Sequence, residues 1–184
     1  MNSKLVIGIA GGGGSGKTTI AKTVQAALEL ETLLIHLDDF QLEDQSNGPF
    51  NTSPSNGIRY FDFSHPDSVD LPRVLQKISS ATANVIIVEG TFGLYFMELR
   101  DLMAVKIFVD ADDDLRVLRK IARNRIIRGQ PFETSIRNHL EGGRIGHIKY
   151  IVPTRNFADL TINGEASPDR NSQLLTALIR GLTV

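Results

Sequence analysis

Eight consecutive residues near the start of the chain limit its possible folds more than any other feature. They read Gly11-Gly12-Gly13-Gly14-Ser15-Gly16-Lys17-Thr18 and match the pattern G-x-x-x-x-G-K-S/T in full. The β-branched run Lys4–Ala10 precedes them, and apolar residues at helical spacing follow from Gly16 to about Leu30. In this setting the backbone N–H groups of the loop and the N-terminus of the helix surround phosphate groups. The pattern therefore predicts an α/β domain that binds a nucleotide.

The residues of this loop have separate expected roles. The glycines allow backbone N–H groups to turn inward around the phosphates. The ammonium group of Lys17 is expected to reach the β- and γ-phosphates of ATP, and the hydroxyl of Thr18 to bind Mg²⁺. Thr19 is expected to pack or to contact the α-phosphate. The predicted nucleotide-binding residues of the loop are Gly11, Gly12, Gly13, Gly14, Ser15, Gly16, Lys17, Thr18 and Thr19.

The rest of the chain alternates apolar strands with helices. We predict further strands at Thr32–Leu37, Val85–Val88, Ala104–Val109 and Leu160–Ile162, and helices at Asp67–Ser79, Asp112 to about Ile127, Phe132–Glu141 and Asn171–Leu182. This alternation implies a parallel sheet with helices on both faces. The segment Gln41–Asp62 is polar and rich in Ser, Asn, Gly and Pro, so we predict a long functional or mobile loop there.

Length and composition narrow the possible classes of protein. The 184 residues suit a single domain, which we assign to residues 1–184. Cysteine is absent, which excludes disulfides and thiolate zinc sites and indicates a reducing, cytoplasmic location. No apolar run approaches the ~20 residues of a membrane span, and the N-terminus does not resemble a secretory signal. We therefore expect no membrane partner. The oligomeric state stays open, a homo-oligomer included.

Two acidic positions follow predicted strands. Glu89 ends the apolar run Val85–Val88, where a carboxylate beside a phosphate loop can approach Mg²⁺; the alternative is a strand-end glutamate facing solvent. Asp38 lies at the end of the second strand, where ligands of open α/β sheets bind, and is our candidate general base. Asp39 is expected to be structural and to point to the opposite face if the extended backbone continues. His36 is expected to pack or to hydrogen-bond locally.

A basic segment lies between Leu115 and Gln130, with six basic residues and no acid in a chain of net charge −1. One such patch suits a small polyanion better than a long nucleic acid, so no nucleic-acid partner is expected. Arg116, Arg119, Lys120 and Arg123 share one helix face. We expect Leu115, Leu118, Ile121 and Ala122 on the other side. We predict a lid over about residues 115–130, whose cations close over the transferring phosphoryl group; a merely solvated basic face is the alternative.

These features together resemble the uridine kinase and phosphoribulokinase branch of the P-loop kinases, over nearly the whole chain. The resemblance rests on the phosphate loop, Leu37-Asp38-Asp39-Phe40, His65-Pro66-Asp67-Ser68-Val69-Asp70, Val85–Gly90, Lys106–Asp110, Arg123–Gly129, Tyr150-Ile151-Val152-Pro153 and Ala158-Asp159.

The resemblance implies a three-layer, adenylate-kinase-like core with a five-stranded parallel sheet, and transfer of the γ-phosphoryl group of ATP to a hydroxyl of a small acceptor. It implies Asp38 as the base, Thr18 and Glu89 at Mg²⁺, and Arg123 and Arg128 as lid cations that act in catalysis beside Lys17. It also places the adenine near Arg119 and near the stretch Thr154–Phe157. Both of these assignments rest on position in the chain alone.

The chain departs from the family pattern on the acceptor side. Ser64 replaces an aspartate that holds the ribose hydroxyls, and Gln130 replaces a second lid arginine. A hairpin that reads the pyrimidine is absent, because only Ser79–Asn84 separates the two elements that should flank it. Uridine is therefore implied by the resemblance alone. Another sugar, a phosphosugar or a nucleoside-like vitamin stays open as acceptor, and the loop Gln41–Asp62 is a candidate cover for it.

Functions of other classes are less compatible with the sequence. A GTPase switch would carry N-K-x-D, and D-x-x-G after the metal-binding acid, and neither motif occurs. An ATPase motor would place a water-activating acid after Glu89, where Gly90-Thr91 stands instead. A degenerate kinase that only binds ATP stays open, and steady turnover with any acceptor would dismiss it.

Overall fold

The computed structural model describes residues 4–183, and a five-stranded parallel sheet forms its centre. The strands are β1 (Leu5–Gly11), β2 (Thr32–His36), β3 (Phe50–Thr52), β4 (Arg59–Phe61), β5 (Val85–Gly90), β6 (Val105–Asp110) and β7 (Leu160–Asn163). The sheet runs in the order β2-β5-β1-β6-β7, while β3 and β4 form a separate antiparallel hairpin. The predicted fold class, an α/β domain with five parallel strands, is confirmed.

Helices occupy most of the remaining chain. They are α1 (Lys17–Ala27), α2 (Leu71–Ser80), α3 (Met97–Leu102), α4 (Asp113–Arg128), α5 (Phe132–Asn138), α6 (Arg144–Gly146) and α7 (Pro168–Leu182). α5 continues into α6 through a π-helical turn at His139–Gly143, and a second π turn at His147–Ile151 follows α6. No helix within residues 4–183 is long and apolar enough to cross a membrane.

The central sheet separates two apolar cores. Along β5, Ile86 and Val88 pack into one core and Val85 and Ile87 into the other. The first core includes residues of α2 and α3, and the second includes residues of α1 and α7. Both faces of β5 are therefore covered, which is why its sequence is apolar at successive positions instead of alternating.

Strand register brings three functional segments to one edge of the sheet. Glu89 on β5 is level with Ile9 on β1 and with His36 on β2. Because the strands are parallel, their carboxyl ends meet where the phosphate loop leaves β1. The end of β2, the end of β5 and the phosphate loop therefore form one site, as the sequence predicted.

Several boundaries differ from expectation for local reasons. α1 ends at Ala27 instead of near Leu30. The helix predicted from Asp67 begins only at Leu71, because the side chain of Asp70 caps it by accepting from the N–H of Arg73. The segment Gln41–Asp62 is not a plain loop, since it contains the β3–β4 hairpin. α3 was not predicted.

The inner face of α4 is its basic face. Of the apolar residues expected on the opposite side, Leu118 is 65% exposed, and Ile126 further along the helix is 81% exposed. Arg116 is buried instead, at 6% exposure. The reason is that the inner face of α4 covers the phosphate loop and not an apolar core. Gly129, in the left-handed conformation at φ 64°, ends the helix.

Candidate active site

The phosphate loop has a conformation that requires glycine. Gly14 and Gly16 have φ angles of 88° and 97°, which side chains rarely adopt. A Cβ on Gly14 would also collide with the backbone carbonyl of Arg116. The loop therefore lies directly against the first turns of α4.

Lys17 is the first residue of α1 and is buried beneath this loop at 7% exposure. Burial lowers the pKa of its ammonium group, and the carboxylates of Glu89 and Asp38 partly oppose that shift. No carboxylate of the described residues lies within ion-pair distance of it. A buried lysine without a direct anionic partner suits the phosphate anion that the loop is built to receive.

Thr18 and Glu89 meet as the sequence predicted. The hydroxyl of Thr18 donates to Oε1 of Glu89 at 3.0 Å, and Nδ1 of His36 donates to the same oxygen at 2.7 Å. The other carboxylate oxygen, Oε2, is buried and has no hydrogen-bond partner among the described residues. Glu89 thus does not face solvent, and the local hydrogen bond expected of His36 is made.

The hydroxyl oxygen of Thr18 and Oε2 of Glu89 together fit the requirements of Mg²⁺. No group of three or more His, Cys, Asp or Glu that could enclose a metal occurs in residues 4–183. Mg²⁺ does not need such a group, because it usually keeps several waters and takes one or two protein oxygens plus phosphate oxygens. The hydroxyl of Thr18 and the unpartnered oxygen of Glu89 are the protein ligands available here.

Asp38 and Asp39 are separated by the local backbone. Leu37–Asp39 is a 3₁₀ turn, so the extended geometry that would send the two side chains to opposite faces does not persist. Asp38 nevertheless lines a cavity together with Lys17 and Thr18, and Asp39 does not line that cavity, which is called the main cavity below. The structure thus brings Asp38 to the phosphate loop, although the extended backbone on which the opposite-face argument depended does not continue to these residues.

The main cavity has a volume of about 410 Å³ and lies between the phosphate loop, the end of β2 and α4. Its charged lining comes from Lys17, Asp38, Arg116, Lys120, Arg123 and Arg128. Cations dominate this lining, so the cavity is suited to a polyanion. The predicted catalytic residues Lys17, Asp38, Arg123 and Arg128 all line it.

A second cavity of about 580 Å³ lies on the other side of the phosphate loop. Thr19, Arg119 and the segment 164–168 line it, and Arg119 donates to the carbonyl of Gly164 at 3.1 Å. Arg119 thus lies beside the phosphate loop as expected, and its role in nucleotide binding stays a prediction. The predicted stretch Thr154–Phe157 does not line this cavity: it forms a 3₁₀ turn, in which Arg155 pairs with Asp110 at 2.7 Å.

The cations on α4 differ in whether they have anionic partners. Arg116 pairs with Asp113, whereas Lys120, Arg123 and Arg128 have no carboxylate within ion-pair distance among residues 4–183. Burial lowers the pKa of Lys120, and the neighbouring Arg123 lowers it further. Lys120 and Arg123 are half-buried, so their charges are costly without an anion, whereas Arg128 is exposed. This face of α4 can therefore receive an anion.

Sequence reasoning missed several residues of the main cavity. Gln41, Phe63, Ser64, His139 and His147 line it but were not among the predicted site residues. His139 and His147 lie in the π-helical stretch, whose irregular turns leave no clear periodic pattern. Lys120 also lines the cavity, and the sequence had placed it on the basic face of the lid without giving it a role of its own.

A third cavity, of about 620 Å³, opens beside the β3–β4 hairpin and shares Phe63, Ser64, Lys120 and Arg128 with the main one. The hairpin contacts the first π turn: Ser55 donates to Oε1 of Glu141 at 2.5 Å, and the hydroxyl of Tyr60 donates to the carbonyl of Glu141 at 3.5 Å. The hairpin and the first π turn therefore together enclose this third cavity.

Comparison with known proteins agrees with this geometry. A model of the phosphoribulokinase / uridine kinase family matches residues 39–169. The chain is 34% identical over 203 positions to a uridine kinase of Staphylococcus carnosus, spanning 99% of this chain and 98% of that protein. It is 35% identical over 196 positions to a uridine kinase of Deinococcus deserti, spanning 95% of each.

The fold has solved counterparts. The structure of TT1252 from Thermus thermophilus superposes with a TM-score of 0.59 over 98% of this chain and 99% of that one, at 19% identity. That likeness supports the fold alone. The family model and the full-length relatives go further, and the chain belongs to the phosphoribulokinase/uridine kinase family.

Proposed function

We propose that this chain transfers the γ-phosphoryl group of Mg·ATP to a hydroxyl of a nucleoside, with uridine as the first candidate acceptor. The observation that carries the proposal is the convergence in one cavity of Lys17, Asp38 and the unpaired lid cations Arg123 and Arg128. Phosphoryl transfer depends mainly on positioning and on charge stabilisation, and these residues supply both.

The nucleotide would bind at the phosphate loop and in the second cavity. The phosphate loop and Lys17 hold the phosphates, and the nucleoside of ATP extends past Arg119 into the second cavity. Thr18 and Glu89 would hold Mg²⁺, which neutralises charge on the β- and γ-phosphates when bound. His36 fixes one oxygen of Glu89 and leaves the other available to the metal.

Asp38 is the residue that acts on the acceptor. Its carboxylate lines the same cavity as Lys17, so a hydroxyl placed between them faces both a base and the transferring group. The carboxylate orients that hydroxyl and accepts its proton as the hydroxyl oxygen bonds to the γ-phosphorus. In the same step the bond between that phosphorus and the β–γ bridging oxygen breaks and ADP leaves. Arg123 and Arg128 then stabilise the negative charge on the transferring group, with α4 as a lid that excludes water.

The non-reacting part of the acceptor would occupy the third cavity. The β3–β4 hairpin and α5 enclose that cavity, and Phe63 and Ser64 connect it with the main cavity. This supports the idea that the segment Gln41–Asp62 covers the acceptor. We infer that the β3–β4 hairpin contacts the acceptor in place of the pyrimidine-reading hairpin that the family resemblance places between α2 and β5.

An acceptor other than uridine is the second candidate, and one observation favours it. Only Ala81–Asn84 connects α2 to β5, where the family resemblance places the pyrimidine-reading hairpin. The alignment with the Staphylococcus carnosus protein also covers 203 positions, more than the 184 residues of this chain. Relatives therefore carry residues that have no counterpart here, and acceptor preference can differ.

An acceptor panel tests the proposal. The purified chain is given Mg·ATP with uridine, cytidine, other nucleosides, free sugars or sugar phosphates, and ADP release is recorded against the Lys17→Ala variant as background. We expect a nucleoside to stimulate ADP release well above background. Stimulation by sugars or sugar phosphates alone would support the second candidate. No stimulation by any acceptor would contradict the kinase proposal and favour a protein that only binds ATP.

A further inference from the structure

Arg116 differs from the other cations of α4 because its guanidinium is already engaged. Nη1 donates to the carbonyl of Gly13 at 3.2 Å, and Nη2 contacts the carboxylate of Asp113 and Nε2 of His147, the latter at 2.8 Å. Lys120 and Arg123 have no comparable carboxylate partner among residues 4–183. Arg116 is thus attached to the phosphate loop and is not free to follow the transferring phosphoryl group.

The contact with Gly13 fixes the orientation of a peptide group in the phosphate loop. In a planar trans peptide, the carbonyl of one residue and the N–H of the next point in opposite directions. Gly13 lines the main cavity with Arg116, whereas Gly14 lines the second cavity, on the other side of the loop. While Arg116 holds the carbonyl of Gly13, the N–H of Gly14 points away from Arg116, toward the side that binds nucleotide.

His147 completes the support of Arg116 from a distant part of the chain. Its side chain is 13% exposed, while that of Asp113 is 78% exposed, so His147 is the enclosed partner. Burial, and next the nearby Arg116, lower the pKa of His147 to about 4. The neutral ring accepts from Arg116 at Nε2 and carries its proton on Nδ1.

We propose that His147 and Asp113 are positioning residues that hold Arg116 on the carbonyl of Gly13 and so preorganise the phosphate loop for nucleotide. This inference rests on the proposed binding of ATP phosphates by that loop. It links α4 and the second π turn to the nucleotide site through one guanidinium. It also separates Arg116 from Arg123 and Arg128, which act on the transferring group.

Mg·ADP binding to the full-length chain tests the inference, because it requires no knowledge of the acceptor. His147→Leu removes the acceptor atom at similar size, and we expect it to weaken Mg·ADP binding about tenfold, the scale of a lost hydrogen bond to a charged group. His147→Gln keeps an oxygen acceptor and is expected to stay within about threefold of the wild type. In turnover, the KM for ATP should rise in His147→Leu while kcat changes less.

Asp113→Asn provides an independent variant, because that side chain is exposed and its replacement leaves the fold intact. Its matched control is Asp114→Asn, in the same first turn of α4 but without contact to Arg116. We expect Asp113→Asn to weaken Mg·ADP binding about threefold and Asp114→Asn to leave it unchanged.

Different outcomes would overturn different claims. Wild-type Mg·ADP affinity in folded His147→Leu, or equal affinity of the Asp113→Asn and Asp114→Asn variants, would contradict the inference alone. Loss of kcat in both His147 variants with Mg·ADP affinity intact would instead place His147 at the acceptor and also overturn it. A wild-type chain that binds no Mg·ADP would contradict the proposed function and the inference together.

Discussion

At the scale of single residues, Glu89 shows how one buried carboxylate can serve several partners. Oε1 is occupied by Thr18 and His36, while Oε2 has no partner among the described residues. A buried carboxylate oxygen without a partner is costly unless a cation or donor reaches it. We therefore propose that this oxygen binds Mg²⁺, directly or through a bound water.

Glu89→Gln tests this assignment. The amide keeps the shape of the side chain but removes its negative charge, so the variant should need more Mg²⁺ for half-maximal turnover. Its requirement for ATP at saturating Mg²⁺ should change less. Glu98→Gln is the matched control, because Glu98 lies in the first turn of α3 and away from the cavities. If the Mg²⁺ concentration for half-maximal turnover is the same in Glu89→Gln as in the wild type, Glu89 does not bind the metal.

Asp38 and Asp39 form a natural pair for a test of the general base. Asp38→Asn should leave ATP binding within a few-fold and lower turnover by roughly 100-fold or more, the usual range for general-base catalysis. Asp39→Asn should affect mainly stability or loop order, because Asp39 does not line the cavity. ATP titration, acceptor kinetics and melting temperature compare the two variants. Loss of turnover in Asp39→Asn alone would move the base by one residue.

At the scale of secondary-structure elements, the surroundings of each element determined whether its sequence pattern could predict it. β5 was readable because a strand covered on both faces is apolar throughout, and the phosphate loop because its residues must match a fixed shape. The environment of α4 could not be predicted from its pattern, because its inner face covers the phosphate loop, so that Arg116 is buried and apolar side chains are exposed. The β3–β4 hairpin has only three residues in each strand, too few for a periodic pattern.

The account of α4 as a lid is tested by limited proteolysis. Arg125 is exposed and lies on α4 outside the cavity linings, so trypsin should cleave after it in the free protein if α4 opens. Mg·ATP together with an acceptor should slow that cleavage, because the cations on the inner face of α4 then have an anion to close on. Cleavage after Lys77, on the exposed side of α2, provides the internal control. Equal rates at Arg125 in both states would indicate a static helix.

At the scale of the whole molecule, the largely enclosed His147 makes stability depend on pH. Burial, followed by Arg116, lowers the pKa of His147 from 6.5 to about 4 in the folded chain. His139 and Lys120 lower it further, and Asp113 partly opposes the shift. Because the folded state binds this proton less tightly than the unfolded state, the neutral ring contributes stability above about pH 6.5 that is lost as the pH falls toward 4.

Thermal unfolding of the wild type and of His147→Gln at pH 7 and pH 5 measures this contribution. The melting temperature of the wild type should fall further between pH 7 and pH 5 than that of the variant, in which no imidazole ring is present at position 147 to bind the proton. Titration of the carboxylates and of His139 shifts the melting temperatures of both proteins alike. The difference between their two slopes of melting temperature against pH therefore reports the contribution of His147. Identical slopes would show that His147 is not held neutral in the folded chain.

The central claim is that one cavity, built around the phosphate loop, catalyses phosphoryl transfer. Acceptor-dependent ADP release by Lys17→Ala, with Lys77→Ala as a surface control, measures it most directly. Lys17→Ala should lower kcat by at least ~100-fold, equivalent to about 2.7 kcal/mol of transition-state stabilisation, with the fold intact. Lys77→Ala should turn over like the wild type. Near-normal turnover by folded Lys17→Ala would contradict the account.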